Sequence, residues 1–361
     1  MLIKFHEALK SIDRIAQVLH SKGIIAIPTD TIYGLAVDGT DVMAVEKLVN
    51  VKRREDKPFT FFMKKSVIEK FAIVTKKKII DFFVPGPLTI ILRRRSSVDL
   101  PLVAEKIGIR IPHHDFVLKL LNEYGDPLAV TSANISGKPH LASPYDIVEH
   151  LTGVDLVVDG GVLYSEPSTV LDLTMTPPVI MRKGVVPILA IEKVYGRKVR
   201  LGTLLKFNVL FVCSGNTCRS PMAEGIFRTL VNRKYCEVQS AGTIAMGGLM
   251  AAHYAKQVVS EYGGSIDHHR TKPLDRELID WADLILAMEY KHYETILEMD
   301  REAVVKTFLL MEYRRKTKYT EVPDPVGRDL AAYQRAAVKM MPTLKNLARD
   351  IEERFKRTHR R

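Results

Sequence analysis

The sequence predicts an α/β protein of two domains: a mixed, twisted α/β sheet first, then a Rossmann-like parallel sheet with helices on both faces. Three observations lead there. A length of 361 residues gives a prior of about two domains, each able to bury its own core. Short apolar runs of strand length alternate with amphipathic stretches in both halves, the pattern of sheet and covering helix. One basic stretch, Tyr195-Gly-Arg-Lys-Val-Arg-Leu-Gly202, interrupts that rhythm and places the domains at residues 1–198 and 206–361.

In the first half the helical spacing of apolar residues predicts helices near His6–Ser21, Val42–Val51, Ile79–Val84, Phe116–Tyr124 and Tyr145–Leu151. Strands are expected at Gly23–Pro28, Phe59–Met63, Leu88–Leu92, Gly108–Pro112, Leu128–Thr131, Leu156–Val158, Thr169–Leu173 and Val179–Arg182. Strands outnumber crossover helices, so a mixed sheet is expected rather than a doubly wound one. The second half alternates regularly. Strands at Asn208–Cys213, Glu237–Ser240, Asp283–Met288 and Thr307–Leu310 are separated by helical stretches that include Met222–Val231 and Met250–Tyr262, and Arg328–Phe355 ends the chain as a long helix. Such alternation builds a parallel sheet.

Composition excludes some classes. Hydrophobic residues at 46% and charged residues at 27% are ordinary for a soluble globular protein. A net charge of +12 suits anionic ligands such as nucleotides, phosphates or RNA, and equally a basic solvated surface. Three cysteines argue against a disulfide framework and for a reducing compartment. No apolar run approaches the ~18 residues of a membrane span, and Met-Leu-Ile-Lys-Phe-His-Glu at the start lacks a signal peptide's core; a cytoplasmic protein is expected. No His stands at ligand spacing from Cys or carboxylates, so no metal site is expected in the protein itself.

The most informative run is Cys213-Ser-Gly-Asn-Thr-Cys-Arg219-Ser220-Pro221. A strand leads in, a helix leads out, and the loop between can close around one phosphoryl group at a helix N-terminus, where unpaired N–H groups favour an anion. Gly215 is expected to supply a left-handed turn. A thiol held there should have a lowered pKa and attack as a thiolate. Val322-Pro-Asp-Pro-Val-Gly327 holds Asp324 on a stiff loop, suited to proton donation.

This half resembles the low-molecular-weight protein tyrosine phosphatases, which carry C-x-G-N-x-C-R-S-P; Ser240-Ala-Gly-Thr243, His268-His-Arg270 and Asp283-Leu-Ile-Leu-Ala-Met288 add to the likeness. The resemblance implies Cys213 as nucleophile and Arg219 as the clamp on phosphoryl oxygens. Backbone N–H groups from Ser214 through Gly215, Asn216, Thr217 and Cys218 to Arg219 would hold the phosphate. Asn216 would brace the loop and Ser220 would stabilise the thiolate. Asp324 would act as acid, then base. Separately, a low-pKa thiolate beside a second thiol is the pattern of a redox-sensitive site, so a reversible Cys213–Cys218 disulfide is expected under oxidation. Phosphorylated proteins are the implied substrates. Thr217 stands where arginine-directed members have Thr and tyrosine-directed members a bulky aliphatic residue, and Val326 stands where tyrosine-directed members place an aromatic. Phosphoarginine and phosphotyrosine both remain open.

In the first half polar groups gather at strand ends: Pro28-Thr-Asp-Thr-Ile-Tyr-Gly-Leu35, Lys52-Arg-Arg54 with Lys57-Pro58, Pro85-Gly-Pro-Leu-Thr89, Thr131-Ser-Ala-Asn-Ile-Ser-Gly137, Pro167-Ser-Thr-Val170 and Arg182-Lys-Gly184. Together they describe a cleft of cations and small donors, as a nucleoside triphosphate and a zwitterion require. These motifs, in this order, resemble the YrdC-like L-threonylcarbamoyladenylate synthases over residues 5–190. The resemblance implies condensation of L-threonine, bicarbonate and ATP, with Mg²⁺ on the nucleotide, to threonylcarbamoyl-AMP and pyrophosphate. A separate transferase complex would then carry the group to tRNA. It implies Lys52, Arg54, Ser132, Asn134 and Arg182 at ATP, and Thr31, Arg110, Ser168 and Thr169 at threonine. Arg110 is chemically suited to a bidentate grip on a carboxylate. Members often have Pro where Glu55 stands and His where Met63 stands. The contrasting class is a first half that binds nucleotide or RNA without chemistry, joined to a working phosphatase.

Overall fold

The computed structural model describes residues 1–53, 58–313 and 320–356. The chain divides into two compact units, one of Met1–Val186 with Ile191–Val199, the other of Pro187–Ala190 with Arg200–Arg361.

The first unit is built on strands β1 (Leu2–Lys4), β2 (Ile25–Ile27), β3 (Gly34–Asp38), β4 (Thr60–Phe62), β5 (Ala72–Ile73), β6 (Leu88–Arg94), β7 (Lys106–Arg110), β8 (Leu128–Ser132), β9 (Leu156–Asp159), β10 (Thr169–Asp172) and β11 (Val179–Arg182). They run in the order β1-β9-β2-β3-β8-β4-β7-β6-β10-β11, with β5 beside β6. Parallel pairs (β1/β9, β4/β7, β6/β10) alternate with antiparallel ones (β2/β3, β3/β8, β6/β7), so the sheet is mixed, as the strand count implies. Its helices are α1 (Phe5–Lys10), α2 (Ile12–His20), α3 (Val42–Lys52), α4 (Ile68–Phe71), α5 (Lys77–Phe83), α6 (Asp115–Tyr124) and α7 (Pro144–His150). The core sets Ile12, Ile15 and Leu19 of α2 and Phe116 and Leu120 of α6 against Ile25, Ile27, Leu128 and Leu156, the three-and-four spacing of an amphipathic face on alternating strand residues.

Two elements differ from the sequence reading. The expected helix His6–Ser21 is two helices, because Ser11 caps one and opens the next with φ −121°. Gly34–Asp38 is a strand not among those expected: Gly34 lies opposite both Ile27 and Ser132. A Cβ at Gly34 would come within 2.8 Å of Val130, which accounts for glycine there.

Helix α8 (Ile188–Tyr195) and the two-residue strand β12 (Arg200–Leu201) precede the second sheet. That sheet comprises β13 (Phe207–Cys213), β14 (Cys236–Gly242), β15 (Leu284–Ala287) and β16 (Thr307–Leu309), ordered β14-β13-β15-β16 and parallel throughout. Helices α9 (Arg219–Leu230), α10 (His253–Glu261), α11 (Arg276–Trp281), α12 (Tyr290–Met299) and α13 (Leu330–Phe355) complete it. Every residue of β13 is buried, as a central strand covered on both faces requires. Leu210 and Val212 join Ile279 of α11 and Ile296 of α12, whereas Phe211 meets Phe227 of α9 edge-on at 5.6 Å. Alternate residues thus reach helices on opposite faces. No helix among the described residues is long and apolar enough to cross a membrane.

Candidate active sites

In the first unit every second strand residue faces one cavity of about 610 Å³: Thr60 and Phe62 of β4, Lys106, Gly108 and Arg110 of β7, and Val170 and Asp172 of β10. Period two puts these side chains on a single sheet face. The helix α3 ends there. Arg53 takes a left-handed conformation (φ +48°) as its C-cap, which turns the chain while Lys52 reaches into the cavity. The Lys52 ammonium, 2% exposed, donates to the Ser132 carbonyl at 2.6 Å and to the carbonyl and Oδ1 of Asn134. Ser132 Oγ donates to the same Asn134 Oδ1 at 2.7 Å. A cation and two small polar groups are thereby locked together at the end of β8.

On the same cavity wall lies a second polar group. Arg110 Nη2 donates to Asp30 Oδ1 at 2.5 Å and to Thr31 Oγ1 at 2.8 Å, and its guanidinium lies 5.8 Å from the Phe62 ring centroid. Arg182 directs Nε and Nη2 to the Ser168 carbonyl at 3.1 and 2.9 Å, and Nη2 also to Ser168 Oγ at 3.0 Å. Ser168 Oγ in turn shares a hydrogen bond with Thr89 at 2.8 Å. Burial makes both arginines weaker bases than usual, and for Arg110 the neighbouring Arg182 charge adds to the effect against the pull of Asp30.

The second site forms where β13 ends and α9 begins. Cys213 Sγ lies 3.0 Å from Ser220 Oγ. Asn216, fully buried and left-handed at φ +54°, donates from Nδ2 to Ser220 Oγ and to Ser240 Oγ, both at 2.9 Å. Ser240 Oγ continues to Glu224 at 2.5 Å. His269 Nε2 lies 2.9 Å from the Asn216 carbonyl, and the Lys272 N–H donates to Asn216 Oδ1 at 3.0 Å. Arg219, 1% exposed, donates Nη2 to Asp324 Oδ2 at 2.6 Å and Nη1 to the Val322 carbonyl at 3.1 Å, and its Nη1 pairs with Glu289 Oε2 at 2.9 Å. Guanidinium and carboxylate therefore meet next to the loop that carries the thiol.

Two expectations for this loop need correction. The left-handed residue is Asn216 rather than Gly215; Asn tolerates that region because its side chain bonds locally, here to two serines. The thiol pKa is not lowered in this resting site: burial pushes Cys213 up, while Ser220, the backbone N–H groups of Ser220 and Asn216, and the Arg219 charge pull the other way. A sulfur taken out of water loses more than three hydrogen bonds and one nearby charge return. Cys218, like Cys213, is a free thiol, and its sulfur lies 3.2 Å from Tyr333 OH.

Gly242 pairs with Cys213 across β13 and β14, and a Cβ there would stand 2.3 Å from the Ser214 carbonyl oxygen and 2.8 Å from the Asn216 nitrogen. Neither backbone atom can yield without moving the loop. Gly242→Ala should therefore lower kcat/KM of the second unit by about tenfold or more, with overpacking destabilising that unit by about 1–3 kcal/mol. Hydrolysis of para-nitrophenyl phosphate and a melting curve measure both; unchanged values would show that the loop moves freely.

Comparison with known proteins follows the same division. Residues 17–184 match the Sua5/YciO/YrdC family model, described as "Telomere recombination". A putative threonylcarbamoyl-AMP synthase of Methanocaldococcus jannaschii is 41% identical over 178 residues, 48% of this chain and 84% of that protein. Residues 208–357 match the low molecular weight phosphotyrosine protein phosphatase model. A protein-arginine-phosphatase of Geobacillus stearothermophilus is 37% identical over 150 residues, 41% of this chain and 98% of that protein. The chain belongs to both families, one in each half. A crystal structure of Pyrococcus abyssi Sua5 complexed with L-threonine superposes with a TM-score of 0.51 at 22% identity, over 86% of this chain and 98% of that one; it shares the fold.

In the Sua5-family unit Lys52, Ser132, Asn134, Arg110, Ser168 and Arg182 all line the one cavity. Thr31 and Thr169 do not line it. Thr31, 1% exposed, stands behind Arg110, and Thr169 exchanges hydrogen bonds with the Val186 backbone at 2.9 and 3.0 Å. Its hydroxyl braces the strand end. Met63 is buried and is not among the lining residues. Arg54 and Lys57 lie outside the described residues. In the phosphatase-family unit Cys213, Asn216, Arg219, Ser220 and Asp324 come together as expected. Glu289 and His292 were not foreseen. Glu289 caps α12, and its carboxyl sits below the usual range: burial raises it, but Lys291 and Arg219 together outweigh that. His292 Nε2 lies 2.7 Å from Ser214 Oγ, and burial, helped by the Arg219 charge, brings its pKa down to about 4. Both follow β15, and residues just beyond the carboxyl ends of parallel strands line the crevice. That rule, applied to Met288-Glu289, would have found them.

Proposed function

We propose that the chain is a bifunctional enzyme. Its first unit condenses L-threonine, bicarbonate and ATP to L-threonylcarbamoyl-AMP and pyrophosphate. Its second hydrolyses protein phosphoarginine through a phosphocysteine intermediate. For the first reaction the carrying observation is the single cavity that holds the Lys52/Ser132/Asn134 cluster and the Arg110/Ser168/Arg182 cluster. A triphosphate suits the first and an amino-acid carboxylate the second; Arg182, expected at ATP from the resemblance, is placed with the amino acid here because it is bonded to Ser168. The threonine amine and bicarbonate give a carbamate with loss of water. A carbamate oxygen attacks the α-phosphorus as the bond to the β-phosphoryl group breaks, and pyrophosphate leaves. Lys52 is placed to stabilise charge on the phosphates, at a fixed position that needs no reorganisation. Among the described residues no cluster of His, Cys, Asp or Glu could hold a metal by itself. A Mg²⁺ arriving with the triphosphate would be held by the phosphate oxygens. When bound, Mg²⁺ supplies charge neutralisation on those phosphates. The product would pass to a separate transferase complex that modifies tRNA.

In the second unit Cys213 Sγ attacks phosphorus, Arg219 holds two phosphoryl oxygens, and Asp324 gives its proton to the leaving nitrogen or oxygen. Water then attacks the phosphocysteine, with Asp324 accepting its proton. Arg219 is already paired with Asp324 and Glu289, so guanidinium and acid are positioned before substrate arrives. Phosphoarginine is favoured by Thr217 within the loop and by exposed Val326 where a phenol ring would need an aromatic wall; the name of the Geobacillus relative agrees.

Threonine-dependent exchange of pyrophosphate into ATP tests the first activity; exchange that ignores threonine would reduce that half to nucleotide binding. For the second, kcat/KM on phosphoarginine is expected to exceed that on phosphotyrosine. Thr217→Ile is expected to reverse the order by about tenfold or more, since a buried polar contact discriminates more strongly than a methylene. A wild-type preference for phosphotyrosine, unmoved by the substitution, would leave a tyrosine phosphatase.

A further inference from the structure

Arg110 cannot grip a carboxylate in the way its chemistry first suggests. A guanidinium has two edges for a two-point contact: the side edge pairs Nε with Nη2, and the end edge pairs Nη1 with Nη2. Both pass through Nη2. Its two N–H groups are engaged by Asp30 and Thr31. What remains is Nη1 and an Nε that is buried and without a hydrogen-bond partner. Arg182 is in the same condition, with Nε and Nη2 held on Ser168. Asp30 is itself fixed, for the His113 N–H donates to its other oxygen at 3.0 Å. The Arg110 and Asp30 side chains are only 6% and 13% exposed, so the pair is shielded from water that could otherwise replace either partner.

We propose that Asp30 is the positioning residue of the amino-acid subsite. With Thr31 it holds Arg110 by Nη2, so that a substrate carboxylate is shared between two arginines, one N–H from each, rather than taken in the fork of one. Asp30 also cancels one of two neighbouring positive charges, which leaves a net charge matched to a single carboxylate. An amino acid held this way is oriented by the line between two fixed cations, with Ser168 Oγ beside it. The carboxylate then has one allowed placement, and the amine is aimed at the same point in every turnover.

This inference rests on the synthase reading, and its test separates the two. In the full chain, KM for threonine, KM for ATP and kcat of pyrophosphate release are measured for wild type, Asp30→Asn, Asp30→Glu and Thr31→Val. Asp30→Asn should raise KM for threonine about tenfold or more while KM for ATP stays within about twofold. Asp30→Glu should recover part of the loss, and Thr31→Val should move KM for threonine in the same direction by less. Wild type should be inhibited more weakly by threoninamide than its threonine affinity implies, and Asp30→Asn should shrink that difference. A KM for threonine that is unchanged or lower in Asp30→Asn overturns the inference, as does an equal rise in both KM values, the mark of a merely structural role. If Asp30→Asn does not fold, Thr31→Val decides the matter by the same criteria. A wild type that releases no pyrophosphate in response to threonine overturns the synthase reading, and this inference falls with it.

Discussion

Cys213→Ser is expected to extinguish hydrolysis by the phosphatase-family unit, whereas Asp324→Ala should leave a residue slower by about 10²–10⁴-fold. The two differ because their tasks differ. In the proposed reaction sulfur forms the bond to phosphorus, and an alcohol in its place must lose a proton that is far harder to remove. Asp324 only assists departure, so its effect should shrink with an easily expelled group such as para-nitrophenolate and grow with a poor one. It also pairs with Arg219, so Asp324→Asn, which keeps a carbonyl for that contact, separates proton donation from the bracing of Arg219. Rates with para-nitrophenyl phosphate and phosphoarginine measure all three variants. Activity that survives Cys213→Ser would place the chemistry elsewhere.

Lys52→Ala should reduce threonine-dependent pyrophosphate release by on the order of 10²–10³-fold, the usual loss for one fixed electrostatic donor. More is possible here, because the ammonium also draws together the Ser132 and Asn134 carbonyls. Without it the Asn134 carbonyl loses a donor and the Ser132 carbonyl is left with the Asn134 N–H, so the loop after β8 loosens. Phosphatase turnover of the same preparation should not change, since Lys52 and the Cys213 loop belong to different compact units and independent sites behave additively. Paired assays on one sample read both numbers. Pyrophosphate release at the wild-type rate would remove Lys52 from the mechanism.

Much of this was legible in the residues. The strand-loop-helix around Cys213 has strong local causes: a continuous apolar strand, a short polar loop and a helix start at Arg219-Ser-Pro. What escaped notice came from register and distance. Gly34–Asp38 is missing from the expected strands, and Gly and Asp disfavour strands, yet antiparallel partners on both sides recruit it. Thr169 looks like a ligand from its place in Pro-Ser-Thr-Val, and only the strand's alternation shows that Ser168 faces the cavity while Thr169 faces away. The groups that occupy Arg110 Nη2 escaped notice for a similar reason. They stand 80 and 79 positions earlier, and spacing along the chain carries no sign of them. The thiol's raised pKa is likewise a property of depth, which a motif does not encode.

Each catalytic cluster is drawn from one half of a single polypeptide, and that has a cellular consequence. The two catalysts are made, inherited and destroyed together, always one copy for one. Neither transcription nor proteolysis of the whole chain can alter their ratio. Any balance between nucleotide-consuming synthesis and removal of protein phosphate must be struck by turnover number, affinity and the supply of substrates, quantities that mutation of either cluster can tune one at a time.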